Sequence, residues 1–309
     1  MAAIVAERLE KRYGTVQALR GVSLEVAEGE CFGLIGPDGA GKTSLIRILA
    51  TLLLPDQGRA ELLGLDAVKD FRKLRLMLGY MPGRFSLYQD LSVEENLWLF
   101  ARLFGTRVDT HYDLIRDIYV QLEPFKTRRA GALSGGMKQK LALCCALIHR
   151  PEILLLDEPT TGVDAVSRRE FWEMLGRLRR HGITILVSTP YMDEAGRCDR
   201  VALIQEGQLL RVDTPQAIVD GYPWPLYAIG APQMHHLLPV LRAYPHARSV
   251  FPFGESLHYA DTRPGDHQPE LQAYLLEAGF PDVQIRPAQA GIEDCFMDLQ
   301  RTQADQLLT

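Results

Sequence analysis

The chain has 309 residues, of which 47% are hydrophobic, and it carries 34 Lys and Arg against 39 Asp and Glu, a formal net charge of −5. This length and apolar content suffice for one large and one smaller folded domain and exclude a disordered or fibrous chain. The acidic balance also argues against nucleic acid as a partner, because non-specific binding needs a surplus of Lys and Arg.

The cysteines and the N-terminus indicate a reducing compartment. The five cysteines are odd in number and none is spaced as C-x-x-C, so neither a disulfide framework nor a zinc site is expected. Residues 1–8 lack the basic start and apolar run of a secretory signal. The uncharged stretch at 221–241 has the length of a membrane span, but repeated prolines break it. We therefore expect a cytoplasmic protein.

The first 220 residues alternate strand-like apolar runs with helix-length segments, which predicts an α/β domain. Strands are predicted at 17–27, where polar and apolar residues alternate, and at the compact apolar runs 31–35, 152–156 and 183–188. Helices are predicted near 42–53, 92–104, 110–122, 135–149 and 166–181. The Ser92-Val-Glu-Glu95 segment predicts a capping box at the start of the second of these helices.

A change of pattern follows residue 220. The segment Gly221-Tyr-Pro-Trp-Pro225 is typical of a linker, and the remaining chain has the order β-α-β-β-α-β. This order predicts a small α+β domain of the ferredoxin-like class over 221–309, ending in a short helix near 294–303.

A glycine-rich loop lies between the 31–35 strand and the first helix. It matches G-x-x-x-x-G-K-[ST], and we predict that it binds nucleotide through Gly36, Pro37, Asp38, Gly39, Ala40, Gly41, Lys42, Thr43 and Ser44. Glycines allow several backbone N–H groups to face one anion, and the helix N-terminus adds a positive dipole end. Lys42 supplies a point charge and Thr43 a hydroxyl for Mg²⁺. The loop therefore predicts a triphosphate site.

Two acids follow the predicted strand at 152–156. Because parallel α/β sheets place ligands at the carboxyl ends of their strands, Asp157 is predicted to reach the Mg²⁺ beside Thr43. Glu158 is predicted to be the general base that takes a proton from the attacking water.

A third motif, Leu133-Ser134-Gly135-Gly136-Met-Lys-Gln139, opens the 135–149 helix. Ser134 is a plausible N-cap, and two glycines leave the helix start open to an anion. The sequence thus predicts a second phosphate-binding helix terminus.

Taken in order, these three motifs resemble the nucleotide-binding subunit of an ATP-binding cassette (ABC) transporter, over about residues 3–220. The segments at 79–82 and 91–97 and the added C-terminal domain are similar to the drug-exporter (ABC-2) type. The resemblance implies a P-loop cassette with a RecA-like parallel core, an antiparallel β subdomain and a helical subdomain at about 85–150. It implies ATP and Mg²⁺ as cofactors, and a head-to-tail dimer in which Ser134, Gly135, Gly136 and Gln139 close over the partner's ATP.

The resemblance also assigns two further residues and a partner. Tyr13 matches the aromatic residue that stacks on adenine, and Asp164 matches the acid of the loop that links the two ATP sites across the dimer. The partner implied is a separate transmembrane permease, which would hold the chain at the inner face of the cell membrane. The apolar 92–104 helix, with Val93 and Leu97 on one stripe, is either core or a docking surface for that permease.

Three positions depart from the family pattern. Asp38 places a carboxylate beside the triphosphate, where most cassettes have an uncharged residue. Gly83 replaces a glutamine that touches Mg²⁺ and water, and Pro190 replaces a histidine that contacts the γ-phosphate. Because Glu158 is present, we expect ATP binding to be retained and turnover to be slow.

Several readings of the function remain open at this point. The chain could be a slow but working homodimer, or a hydrolysis-weak regulatory cassette that shares a heterodimer with a complete one. A non-transport nucleotide switch is the competing class, although such relatives usually carry two cassettes or a long coiled-coil insertion. The resemblance alone favours export over import.

Overall fold

A computed structural model describes the backbone of residues 1–307 and the side chains of residues 1–303. The chain divides into two compact units, the first being Met1–Pro215 and the second beginning at Gln216. The boundary expected at 220 therefore lies one short helix later than the boundary of the structure. Within the described residues, no helix combines the length and apolar character needed to cross a bilayer.

The core of the first unit is a six-stranded sheet with the order β10-β9-β3-β8-β7-β6. Its strands are β3 (Cys31–Ile35), β6 (Leu78–Met81), β7 (Ile153–Asp157), β8 (Thr184–Thr189), β9 (Arg200–Gln205) and β10 (Gln208–Asp213). All neighbouring pairs are parallel except β9 and β10. Every residue of β3, β7 and β8 is buried, as the uninterrupted apolar runs predicted.

A second, antiparallel sheet has the order β2-β1-β4-β5. It contains β1 (Ala2–Tyr13), β2 (Val16–Ala27), β4 (Gln57–Leu62) and β5 (Leu65–Asp66). The alternating segment predicted at 17–27 is β2, and its partner β1 joins it through a tight turn at Gly14 and Thr15. The parallel core and the antiparallel sheet of a P-loop cassette are thus both present.

The described residues of the first unit form six α-helices, and all but the short one at 71–74, which was not predicted, begin close to where the sequence predicted. They are α1 (Lys42–Leu49), α2 (Phe71–Leu74), α3 (Val93–Leu103), α4 (Tyr112–Tyr119), α5 (Gly135–Leu147) and α6 (Ala165–Arg179). Helix α1 ends earlier than expected because Thr51 has φ 59, in the left-handed region. The capping box of α3 is confirmed, since Ser92 N donates to Glu95 and Glu95 N donates to Ser92.

The second unit begins with α7 (Pro215–Asp220), which crosses the boundary, and has its own hydrophobic core around Tyr259. Its elements follow the order β-α-β-β-α-β and end in a helix: β11 (Leu226–Gly230), α8 (Met234–Ala243), β12 (Ala247–Phe253), β13 (Ser256–Asp261), α9 (Gln268–Glu277), β14 (Gln284–Pro287) and α10 (Ile292–Leu307). The four strands form an antiparallel sheet of order β12-β13-β11-β14. The last helix is longer than the 294–303 segment predicted.

Candidate nucleotide-binding site

The glycine-rich loop connects the carboxyl end of β3 to the N-terminus of α1, as predicted. A Cβ at Gly36 would collide with the carbonyl oxygen of Ile204, so close packing against β9 requires glycine there. Gly41 has φ 104, and a Cβ there would collide with the carbonyl oxygen of Ala18. The backbone of the loop is therefore fixed by contacts that other residues cannot make.

Lys42 is almost fully buried, with 3% of its surface exposed. Its Nζ donates to the carbonyl oxygens of Gly36 (2.7 Å) and Pro37 (2.9 Å) and lies 3.0 Å from Oε1 of Glu158. The ammonium is thus held inside the loop and directly beside the second acid of the β7 terminus. A buried charge is costly unless it is paired, and here two carbonyl oxygens and the Glu158 carboxylate pair it.

Thr43 and Asp157 meet at the other side of the loop. Thr43 Oγ1 donates to Oδ1 of Asp157 at 3.0 Å, and Ser188 Oγ donates to the same oxygen at 2.9 Å. Burial raises the pKa of the Asp157 carboxyl above its usual range, although the two hydroxyl hydrogen bonds oppose that shift. The structure therefore brings together two oxygen ligands of the kind Mg²⁺ prefers.

These residues fit Mg²⁺ only if the nucleotide supplies further oxygens. No group of three or more His, Cys, Asp or Glu side chains suited to a metal occurs in the part of the chain that the structure describes. Mg²⁺ is commonly bound through one or two protein oxygens together with substrate phosphates, and Thr43 and Asp157 match that arrangement.

Glu158 follows β7 with a left-handed backbone, at φ 50. Its N–H donates to the carbonyl oxygen and to the hydroxyl of Ser188 on the neighbouring strand, at 3.1 and 3.0 Å. This conformation is uncommon for a residue with a side chain and is found disproportionately at functional sites. It turns the chain so that the Glu158 carboxylate reaches Lys42.

Tyr13 and Asp38 lie at the edge of the loop. Tyr13 ends β1, is 46% exposed, and accepts a hydrogen bond of 3.4 Å from Ser44 Oγ. Its hydroxyl is therefore next to the phosphate loop, and the side chain is partly exposed there. Asp38 is exposed at the loop tip, and its side chain makes no hydrogen bond or ion pair with any described residue. Within the described structure, no bond inside the loop therefore offsets the Asp38 carboxylate.

The Ser134 motif and Asp164 lie next to each other. Ser134 caps α5 by accepting from Met137 N at 3.4 Å, and Asp164 caps α6 by accepting from Val166 and Ser167. Hydrogen bonds from Ser167 hold the pKa of the Asp164 carboxyl below its usual range.

Close packing joins these two helix starts. A Cβ on Gly136 would lie 2.8 Å from Ser167 Oγ. Gln139 is half-buried one turn further along α5. No hydrogen bond or ion pair among the described side chains joins Ser134 to the phosphate loop of the same chain.

Two of the three family departures, Gly83 and Pro190, lie at strand ends near the site. A Cβ on Gly83, which follows β6, would come within 2.9 Å of the Asp157 carbonyl oxygen. Pro190 directly follows β8, whose last residue, Thr189, accepts a hydrogen bond from Gly36 N at 3.3 Å. Neither position carries a side-chain donor. The structure thus places both departures near the site that the sequence predicted.

Ser188 and a buried carboxylate are site features that the sequence analysis missed. Glu194 is 4% exposed, and its Oε2 accepts from Thr189 (2.6 Å) and from Thr160 (3.1 Å). It therefore ties the segment after Glu158 to the segment before Pro190. A small polar residue at the end of an apolar strand could have indicated Ser188, whereas no local pattern marks Glu194.

Sequence comparison identifies relatives of this chain. The sequence profile of the family described as "ABC transporter" matches residues 19–161. The Nod factor export ATP-binding protein I of Burkholderia lata is 40% identical, covering 71% of this chain and 73% of that protein. The probable multidrug ABC transporter ATP-binding protein YbhF of Escherichia coli K12 is 39% identical, covering 96% of this chain. The chain spans about half of that relative, 52% of its length.

Solved structures agree on the fold of the first unit. An ATP-binding subunit of an ABC transporter is 27% identical with a TM-score of 0.65, covering 71% of this chain and 93% of that one. The cbiO1 protein of Clostridium perfringens, part of the ABC transporter complex cbiONQ, is 25% identical with a TM-score of 0.63, covering 71% and 91%. A dimeric cassette bound to ADP and Pi, 24% identical with a TM-score of 0.62, covers 68% of this chain and 98% of its own.

Proposed function

The chain belongs to the ATP-binding proteins of ABC transporters, and on that premise we propose that it binds ATP with Mg²⁺ and hydrolyses it to power export through a separate permease. One observation carries the catalytic part of this proposal. Lys42 lies 3.0 Å from Glu158, and Thr43 lies 3.0 Å from Asp157. The phosphate loop and the two acids that end β7 therefore lie side by side.

The geometry supports a distinct task for each residue. The loop amides and Lys42 bind the β- and γ-phosphates, and Tyr13 stacks on the base. Thr43 and Asp157 hold Mg²⁺, which supplies charge neutralisation on the phosphates when bound. The Glu158 carboxylate orients the attacking water and accepts its proton. An incoming triphosphate also replaces Glu158 as the partner of the Lys42 ammonium, which frees the carboxylate for that work.

A second copy of a cassette completes the site in this proposal. Ser134, Gly135, Gly136 and Gln139 of one chain close over the ATP held by the loop of its partner, with Asp164 between the two sites. Ser134 and Asp164 are both exposed, so they are accessible to a second chain. We propose a head-to-tail dimer, either of two such chains or of this chain with a complete cassette.

An apolar cleft of about 580 Å³ is the proposed docking surface for the permease. It lies between the end of β6 and helix α3 and is lined by Leu52, Met81, Phe100 and Leu103 among others. Leu52 and Leu103 are 53% and 65% exposed, which is unusual for leucines that face one cleft. Docking there would place the chain at the inner face of the membrane.

We expect Leu103→Glu to release the chain from membranes without unfolding it. The side chain is exposed, so a charge costs little in the isolated protein but much in an apolar interface. Co-purification of the chain with a membrane protein measures the effect, with circular dichroism as the folding check. The matched control is Trp98→Ala on the same helix, since Trp98 is 53% exposed and does not line the cleft. Equal recovery of the permease with Leu103→Glu would contradict the docking surface.

The proposal also covers the division of the chain into two domains. We propose an ABC domain over residues 1–220 with a helical subdomain at about 85–150, followed by an accessory domain over 221–309. The strand order β12-β13-β11-β14 and the β-α-β-β-α-β succession support a ferredoxin-like class for the accessory domain.

A hydrolysis-weak cassette is the second candidate function. The supporting observation is that Gly83 and Pro190, both at the site, bring no side-chain donor. Removing one transition-state donor commonly costs about 10²–10³-fold in rate. In this reading the chain binds ATP firmly, turns it over slowly, and pairs with a complete cassette.

Pro190→His is accordingly expected to raise ATP turnover by up to about 10²-fold, because it restores one donor of this class. The measurement is steady-state phosphate release by the purified chain. Pro190→Ala is the control, because it removes the ring without adding a donor. Adding Gly83→Gln requires movement of the Asp157 backbone, which a Cβ at 83 would approach within 2.9 Å. An unchanged rate in Pro190→His would show that this position does not limit turnover.

A further inference from the structure

A separate cavity of about 510 Å³ lies on the first unit, between the second half of α6 and the 3-10 helix Met192–Arg197. It reaches Cys31, the first residue of β3, whereas the phosphate loop follows Ile35 at the other end of that strand. At roughly 3.3 Å per residue, the two ends of β3 are about 13 Å apart. The cavity is therefore distinct from the nucleotide site.

The cavity is strongly basic although the chain is acidic. Its lining includes Arg177, Arg179, Arg180 and Arg197, against Glu173 as the single acid. Arg179 is paired with Asp199 at 2.7 Å, and Arg177 has a longer contact of 3.8 Å to Asp117. The side chains of Arg180 and Arg197 are exposed, and neither forms an ion pair or hydrogen bond with any residue in the described range. The positive charge of these two arginines is thus not neutralised by the protein.

A buried donor and two open glycines accompany this charge. Trp172 lines the cavity, is 6% exposed, and its indole N–H has no hydrogen-bond partner among the described residues. Buried donors of this kind are rarely left unsatisfied. Gly176 and Gly196 also line the cavity, and a Cβ at either would meet no atom within 4 Å.

The glycine inside α6 has no local explanation. Glycine within a helix is destabilising relative to alanine, and at Gly176 neither a positive φ nor a close neighbour requires it. Its effect is to leave the cavity open beside the arginines. A ligand that occupies the open space would explain why a glycine stands at this position of the helix.

We propose that this cavity binds a small oxyanion that carries phosphate or carboxylate groups. Guanidinium groups match both kinds of oxyanion through paired N–H donors, and the indole N–H adds a further donor. The volume falls within the range of small-molecule sites. Arg180 and Arg197 supply the charge, Trp172 the buried donor, and Gly176 and Gly196 the space.

Calorimetric titration of the full chain with inorganic phosphate and, separately, with citrate tests the proposal. The Lys42→Ala background weakens anion binding at the nucleotide site, and the arginine variants show how much of the remaining heat comes from the cavity. We expect at least one of the two anions to bind, with affinity falling tenfold or more in Arg180→Ala/Arg197→Ala. Binding of phosphate alone or of citrate alone identifies which oxyanion is the ligand class.

Two variants separate a built site from general surface charge. Arg169→Ala removes an exposed arginine of the same helix that does not line the cavity, and it should leave the affinity unchanged. Gly176→Leu fills the open space while favouring the helix, so it should abolish binding in a chain that stays folded by circular dichroism. The proposal is overturned if neither anion binds, or if both Arg180→Ala/Arg197→Ala and Gly176→Leu bind as the parent chain does.

Discussion

Glu158→Gln is expected to lower ATP turnover by about 10²–10⁴-fold while ATP binding persists. The amide keeps the shape of the side chain but cannot accept the proton of the attacking water. Binding persists because the contacts to the phosphates come from the loop backbone, Lys42 and Thr43. The loss of the Glu158 contact to Lys42 also removes a competitor for the ammonium. Steady-state phosphate release and an equilibrium binding titration on the same preparation measure the two effects.

The control for this experiment is Glu152→Gln at the opposite end of β7. Glu152 is exposed and far from the loop along the strand, so its replacement should leave the rate unchanged. Turnover that survives in Glu158→Gln would mean that another group acts as the base. A wild-type rate typical of complete cassettes, lost in Glu158→Gln, would instead eliminate the hydrolysis-weak reading and leave Glu158 as the base.

The parts of the site that could be predicted from sequence are those coded locally. The phosphate loop follows a compact apolar strand and precedes a helix, so its position at a sheet edge follows from short-range pattern. Asp157 and Glu158 end another apolar strand, and parallel pairing brings such ends to one edge. Lys42 and Glu158 are therefore neighbours for a reason that is visible in the sequence.

What the sequence could not predict depends on contacts between distant segments. The Thr160, Thr189 and Glu194 cluster forms only when β7 and β8 lie side by side. The basic cavity likewise combines α6 with a segment after β8, so no local pattern marks it. The end of α1 was missed because Thr51 adopts a left-handed backbone, which residue type does not predict.

Helix α3 shows how a periodic pattern can be partly correct. Of the two roles that the apolar stripe left open, Val93 and Leu97 take the buried one, whereas Phe100 and Phe104 are only half-buried and line the apolar cleft. The apolar width of the helix thus reflects both proposed roles, one face packing in the core and another facing the cleft. Hydrophobicity alone does not distinguish these two environments.

Lys42→Ala is expected to weaken ATP binding by about a hundredfold or more, since truncating one partner of a buried charge pair commonly costs 2–5 kcal/mol. The ammonium is the one side-chain cation that the structure places inside the loop, among the residues it describes. Its stem is buried as well, so Lys42→Met serves as the matched variant that keeps the packing and removes only the charge. Both variants should lose affinity to a similar extent if charge is the cause.

Calorimetric titration of a non-hydrolysable ATP analogue with Mg²⁺ into the wild-type chain, Lys42→Ala and Lys42→Met is therefore the most direct measurement. We predict one nucleotide bound per wild-type chain and a loss of about a hundredfold in affinity in both variants. Equal affinity in all three folded chains would contradict the proposal that the phosphate loop and its buried ammonium hold the triphosphate.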